Sequence, residues 1–286
     1  MVKRFRDYFA LVKFSHTIFA MPFAFIGFFL AFRQNADSVN LKLFLLIVLC
    51  MVFARNAAMS FNRLVDRHFD AKNPRTSQRE IPRGAISPKA TVYFTLANSL
   101  LFILTTYLIN PLVLILSPIA LFVILFYSYT KRFTWLCHFV LGLGLSLAPI
   151  GAYLAVVDRF NLLPILYSVI VLFWVSGFDI VYSLQDESFD KSQNLKSIPA
   201  KVGVGRALLI AKILHIIVGV IVMVIGIKYS FGIWYWFGSL GFIVLLVYQH
   251  RIISAKDLSR INIAFATTNG IASIFFAAFN ILNFLM

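Results

Sequence analysis

The sequence predicts an all-α membrane protein, and three observations carry that reading. Of its 286 residues, 60% are hydrophobic and 13% charged, against about 25% charged in a soluble domain; the mean hydropathy is +0.87. Apolar runs long enough to cross a bilayer, about 20 residues each, recur from end to end. The runs are continuous rather than alternating over about ten residues, which excludes a β-barrel. Together these features exclude a soluble enzyme of this length and a disordered chain.

Nine spans follow in order: 14–32, 41–61, 91–109, 111–129, 135–157, 162–182, 206–227, 232–249 and 263–285. The first is preceded by Lys3, Arg4, Arg6 and Lys13. It is too long for a signal-peptide core and has no small-residue cleavage site, so it counts as a span. The second carries an internal arginine, Arg55, and the third and fourth are divided only by Asn110-Pro111. Cys50 and Cys137 both fall inside apolar runs. They suggest neither a disulfide framework nor a metal site, and are expected as buried free thiols.

Charge orients the spans. The N-terminus and the loops after spans 2, 4, 6 and 8 hold 20 Lys and Arg, counting Arg206 at the edge of span 7. The opposite loops hold only Arg33, Lys42, Arg159 and Lys228. The N-terminus is therefore expected in the cytoplasm and the C-terminus outside. The same rule accounts for the net charge of +15, so no nucleic-acid partner is expected.

The acidic residues are concentrated. Seven of the 11 carboxylates fall in two stretches. One carries Asp66, Asp70 and Glu80, the other Asp179, Asp186, Glu187 and Asp190, and both leave the cytoplasmic end of an even-numbered span. Asn62, Asp66 and Asp70 stand at i, i+4, i+8, as one polar stripe on a helix; Asp186 and Asp190 repeat the i, i+4 spacing. Like charges one turn apart repel. A divalent cation relieves that, and Mg²⁺ binds through one or two carboxylates plus substrate phosphates. Basic residues follow each stretch: Lys72, Arg75, Arg79 and Arg83 after the first, Lys191, Lys196 and Lys201 after the second, with Lys131 and Arg132 between. Carboxylates for metal alternating with cations for phosphate suit a metal-bridged polyanion. No Gly-rich Walker sequence points to a nucleoside triphosphate.

The two halves look alike. Asp66/Asp70 leads to Ile81-Pro82-Arg83-Gly84, and Asp186/Asp190 to Ile198-Pro199-Ala200-Lys201. A single domain over 1–286 is expected, with an internal four-helix repeat, about 1–130 and 131–255, plus a ninth helix.

These residues resemble the UbiA family of intramembrane aromatic prenyltransferases. Asn62-x-x-x-Asp66-Arg67-x-x-Asp70 with Arg75-Thr76, Arg79, Pro82 and Gly84 is similar to the family's first aspartate motif. Asp179-x-x-Tyr182-x-x-x-Asp186-x-x-x-Asp190 is similar to its second. Tyr127-Ser128-Tyr129-Thr130-Lys131-Arg132 resembles its short basic loop, and Ser15-His16-Thr17 before Met21-Pro22 the start of its first helix. The resemblance implies nine helices around a central cavity, and two Mg²⁺ between facing motifs that hold an isoprenyl diphosphate. Asp66-Arg67 and Arg75-Thr76 are more similar to the 4-hydroxybenzoate branch than to the naphthoate branch. The Ser197-Ile198-Pro199-Ala200 tail resembles a subgroup that includes prenyltransferases of the futalosine menaquinone route. Haem O synthases share the first motif in outline.

The expected site follows. Asp66, Asp70, Asp186 and Asp190 coordinate Mg²⁺, with Asn62 a neutral oxygen ligand. Arg63, Arg75, Lys131 and Lys196 are candidates for the diphosphate of a polyprenyl donor. Aromatic faces stabilise the allylic cation left by ionisation; with 31 Phe available, the sequence singles out none. Arg55, seven residues before Asn62, lies two turns deeper on nearly the same face and suits the carboxylate of an aromatic acid such as 4-hydroxybenzoate. Asp179, two turns deeper than Asp186, is placed to orient the phenol or accept the ring proton, and Tyr182 and His16 are placed to line the cavity. The competing class is a transporter, which places its binding groups near the midplane at broken helices; here the carboxylates gather at one membrane edge.

Overall fold

The computed structural model describes residues 2–12, 20–35 and 40–286. The start of the first expected span, including His16, lies outside the described residues. Eight helices among those described are long and apolar enough to cross a membrane, and a shorter apolar one covers Met21–Gln34. The eight are α3 (Leu41–Val65), α5 (Pro88–Tyr107), α6 (Pro111–Thr130), α7 (Cys137–Val157), α8 (Leu162–Ser183), α11 (Val204–Lys228), α12 (Ile233–Arg251) and α13 (Asn269–Leu285), the last preceded by a π-turn, Ile263–Thr268; the shorter one is α2 (Met21–Asn35). From α3 onward each matches an expected span to within a few residues, because the apolar runs set the boundaries. Asn40, Ser87, Asn110 and Asn161 cap α3, α5, α6 and α8 with their side-chain oxygens, satisfying amides that the helix leaves open.

Four short helices join them: α1 (Val2–Leu11), α4 (Arg67–Lys72), α9 (Glu187–Ser192) and α10 (Ile198–Val202). The basic N-terminal segment, which carries no span signal, folds as α1 against the loop before α5. Leu11 is buried with Ile81 and Ile86, and Arg83 donates to Asp7 at 2.9 Å.

Neighbours run α2–α3–α5–α6–α7–α8–α11–α12–α13 and back to α2, with α2 also packed on α7. Two of the crossings that α7 makes, with α2 and with α8, depend on absent side chains. A Cβ at Gly27 would run into the Pro149 carbonyl, and one at Gly142 into the Leu172 carbonyl. Such close backbone approach is how membrane helices gain packing where lipid removes the hydrophobic drive. The aromatic core, with Phe23, Tyr167, Trp174, Tyr235, Phe242 and Phe276, fills the α2–α8–α11–α12–α13 side. The apolar stretches of α3 and α6 are only 17% buried, against 56% for the α8 stretch, because a cavity occupies their inner side.

Candidate functional site

That cavity, of about 580 Å³, runs between α3, α5, α6, α7 and α8. One end is polar, where α3 and α8 break. The rest is apolar, lined on α6 by Val113, Leu116, Ala120 and Val123 and then Tyr127 and Lys131, a helical stripe of three- and four-residue steps.

The paired aspartates do not sit on unbroken helices. Asp66 terminates α3 (φ −89°, ψ 3°) and starts α4, which carries Asp70. Asp186 ends a 3₁₀ turn after α8 (φ −104°, ψ 5°) and starts α9, which carries Asp190. The one-turn spacing survives, since Asp70 N–H still donates to the Asp66 carbonyl at 2.8 Å. The break repeats in both halves, whereas the tetrapeptides that follow differ: residues 81–84 form a turn and 198–202 a helix.

Each carboxylate holds a cation. Arg132 meets Asp66 at 3.1 Å, Arg79 meets Asp70 at 2.7 Å, and Lys131 meets Asp190 at 2.9 Å. Arg75 is bidentate on Asp186, Nε to Oδ1 at 3.0 Å and Nη2 to Oδ2 at 2.5 Å, and its Nη1 donates to the Tyr182 hydroxyl at 3.1 Å. Asn73 and Ser197 complete the set, donating to Asp186 and Asp190, and Asn62 donates to Asp66.

Burial pushes the Asp66 carboxyl up to about 6, with Asp70 adding to the shift and Arg132 and Lys131 opposing it. Burial works against the charge on Lys131, but the bonded Asp190 carboxylate more than offsets it and raises the ammonium. Arg75 is raised in the same way by Asp186.

The donor set fits a hard divalent cation. All four groups are carboxylates at one end of one cavity, and Asp70 Oδ2 is buried without a hydrogen-bond partner among the described residues. No three acidic, His or Cys groups among the described residues already form a metal site.

Deeper in, Arg55, Arg63, Asp179 and Tyr182 line the same cavity. Arg63 is 5% exposed, and its Nε is unpartnered among the described residues. Tyr182 stacks on Phe265 at 4.0 Å between centroids, and Phe178 meets Phe265 edge-on at 5.5 Å. Phe265 comes from the π-turn, a wider turn that recurs at functional sites. Of the expected site residues among those described, only Lys196 is not brought to the cavity wall. It is exposed, and its ammonium donates to the Phe133 carbonyl at 3.2 Å. The two cysteines are free and line the wall.

The sequence reading left Arg79, Arg132, Asn73, Ser197 and His138 without assigned roles. Arg79 and Arg132 stood in the motifs that drew attention and were legible as site cations. His138, a lone histidine in an apolar run, had no signal; it bonds Asp179 at 2.7 Å.

The sequence model of the UbiA prenyltransferase family matches residues 20–280. A 4-hydroxybenzoate octaprenyltransferase from Aliivibrio fischeri is 31% identical over 82% of this chain and 81% of its own. One from Aeromonas salmonicida is 28% identical over 85% and 83%. Among solved structures, a UbiA homologue from Aeropyrum pernix superposes with a TM-score of 0.84 at 30% identity, over 93% of this chain and 97% of the other. A UbiA homologue from Archaeoglobus fulgidus bound to GPP and Mg²⁺ shares the fold, with a TM-score of 0.79 at 21% identity over 98% and 100%.

Proposed function

Because the chain belongs to the UbiA prenyltransferase family, we propose that it transfers a polyprenyl group from polyprenyl diphosphate to 4-hydroxybenzoate, in quinone biosynthesis, with Mg²⁺ at the aspartates. The observation that carries this is the single cavity with two carboxylate pairs and their cations at one end and an apolar bore behind them. The acceptor is supported by the 4-hydroxybenzoate octaprenyltransferases among the relatives and by Arg55 on the cavity wall.

In this reading Asp66, Asp70, Asp186 and Asp190 hold two Mg²⁺, with Asn62 beside them. The bound metal neutralises the diphosphate, a poor leaving group when fully charged. Arg75, Arg79, Lys131 and Arg132 exchange their carboxylates for phosphate oxygens, and buried Arg63 gains an anion. The C–O bond breaks and its electron pair leaves with diphosphate. Tyr182, Phe178 and Phe265 offer ring faces to the allylic cation, worth about 0.5–2 kcal/mol each. The tail lies along the α6 stripe, where the 18 residue steps from Val113 to Lys131 rise about 27 Å. Arg55 binds the acceptor carboxylate below the aspartates, and Asp179 takes the ring proton. The 20-to-4 distribution of Lys and Arg supports a site facing the cytoplasm, in the cytoplasmic membrane of a bacterium.

The test is an assay of the membrane-embedded protein with Mg²⁺, a polyprenyl diphosphate and a panel of acceptors that includes 4-hydroxybenzoate and 1,4-dihydroxy-2-naphthoate, with product masses read directly. A prenylated 4-hydroxybenzoate that disappears with EDTA is expected. Product only from the naphthoate would overturn the acceptor, and no product from any aromatic would overturn the reading.

A further inference from the structure

His138 lies outside every role assigned so far. It is 1% exposed, at the start of α7. Its Nδ1 is 2.7 Å from Asp179 Oδ2, and its Nε2 is 3.3 Å from the Ile198 backbone N–H. A backbone amide can only donate, so Nε2 must present its lone pair. A neutral imidazole carries one proton, which must then be on Nδ1 and be donated to Asp179. The Ile198 amide thus selects the tautomer, and the tautomer makes Asp179 an acceptor from His138, which lines the same cavity.

The neighbour of Ile198 ties this pair to the metal end. Ser197 Oγ donates to Asp190 Oδ2 at 2.8 Å and accepts from Ala200 N–H at 3.3 Å, capping α10. Adjacent residues therefore brace a carboxylate at the rim and, through His138, a carboxylate deeper in the cavity. Asp179 lines the cavity beside Tyr182, Phe178 and Phe265, and its side chain remains 20% exposed.

We propose that His138 is a positioning residue for acceptor chemistry: as a neutral Nδ1–H donor it fixes the Asp179 carboxylate as the base that takes the ring proton. This rests on the aromatic-acceptor reading above. The acceptor's ring carbon bonds the allylic carbon with a π pair. Its proton then passes to Asp179, the C–H pair returns to the ring, and aromaticity is restored. His138 keeps its proton throughout. Asp179 releases the acquired proton to water before the next turnover, so each cycle yields prenylated acid, diphosphate and one proton.

The experiment compares His138→Phe, which fills the ring volume without a donor, with His138→Asn, whose amide N–H stands near the position of Nδ1. Both are assayed on 4-hydroxybenzoate with and without deuterium ortho to the hydroxyl. If deprotonation loses its positioned base, kcat of His138→Phe falls by about 10²-fold and a ring-deuterium isotope effect of about twofold or more appears, absent in the wild type. The KM for polyprenyl diphosphate stays within about twofold, and His138→Asn recovers most of kcat and suppresses the isotope effect. An unchanged kcat, a fall with no isotope effect, or an Asn variant no better than Phe would overturn the role. Should the Phe variant not accumulate, His138→Ala is read with added imidazole: restored turnover supports the proposal and none overturns it. A wild-type protein that prenylates no aromatic overturns the acceptor reading and this inference with it.

Discussion

Replacing Arg75 with alanine should move metal and donor affinity in opposite directions. In the described structure Arg75 occupies both oxygens of Asp186, one of the carboxylates assigned to the metal. A cation arriving without substrate must therefore displace a guanidinium. A hydrogen bond to a charged group is worth about 1.5–3 kcal/mol. The Arg75 side chain is 30% exposed, so solvent screening favours the lower end for the pair as a whole. At ~1.4 kcal/mol per tenfold, Arg75→Ala should tighten the binding of Mn²⁺ alone by about tenfold. Asn73 still donates to Asp186 Oδ1, so the carboxylate stays in place. With substrate present the same side chain is counted on for a phosphate contact, and the KM for polyprenyl diphosphate should rise by about 10–100-fold. Free Mn²⁺ read by electron paramagnetic resonance in detergent, against steady-state KM, separates the two. If Arg75→Ala weakens Mn²⁺ binding or leaves it unchanged, Arg75 does not compete with metal, and the exchange of partners assigned to the basic residues is wrong.

Three further outcomes are expected. Asp66→Ala, Asp70→Ala, Asp186→Ala and Asp190→Ala should each abolish prenyl transfer in a protein that still reaches the membrane; near-normal turnover by Asp186→Ala and Asp190→Ala would remove the second motif from the metal site. Arg55→Ala, about 10 Å below Asn62 by helical rise, should raise the KM for 4-hydroxybenzoate by at least about tenfold. It should leave the donor KM and the use of a phenol lacking the carboxylate little changed, and loss of donor affinity instead would place Arg55 in the phosphate site. Gly27→Ala, whose Cβ would meet the Pro149 carbonyl, should lose about 1–3 kcal/mol of stability, seen as a lower melting temperature in detergent; an unchanged melting temperature would show that the α2–α7 crossing yields.

The spans were legible because lipid demands continuous apolar runs, and the runs read at 41–61, 111–129 and 206–227 lie within a few residues of the helices at 41–65, 111–130 and 204–228. The carboxylate end of the cavity was legible for a related reason: carboxylates are scarce here, so their clustering stood out. Three kinds of feature were not legible. The helix breaks at Asp66 and Asp186 leave the i, i+4 pattern intact, so spacing alone reads them as one helix. The apo pairings depend on which cation reaches which carboxylate. Arg132 reaches Asp66 across 66 positions and Lys131 reaches Asp190 across 59, distances that no local pattern encodes. Lys196 shows the converse. Its place after the second motif suggested phosphate, but its backbone N–H bonds the Lys131 carbonyl and its ammonium is taken up at the surface.

The π-turn at Ile263–Thr268 divides the last span into two helical phases. Below it, Asn269 bonds Trp174 and Asn280 bonds Tyr167, anchoring α13 to the aromatic core. Within it, Phe265 stacks on Tyr182 at the cavity wall. A continuous α-helix would lock these two faces together, so that any change at one would rotate the other. The wider turn uncouples them. Substitutions at Phe265 can therefore reshape the cavity wall near Tyr182 while the anchors of α13 keep their register, which makes this turn a natural place to alter acceptor size without dismantling the membrane fold.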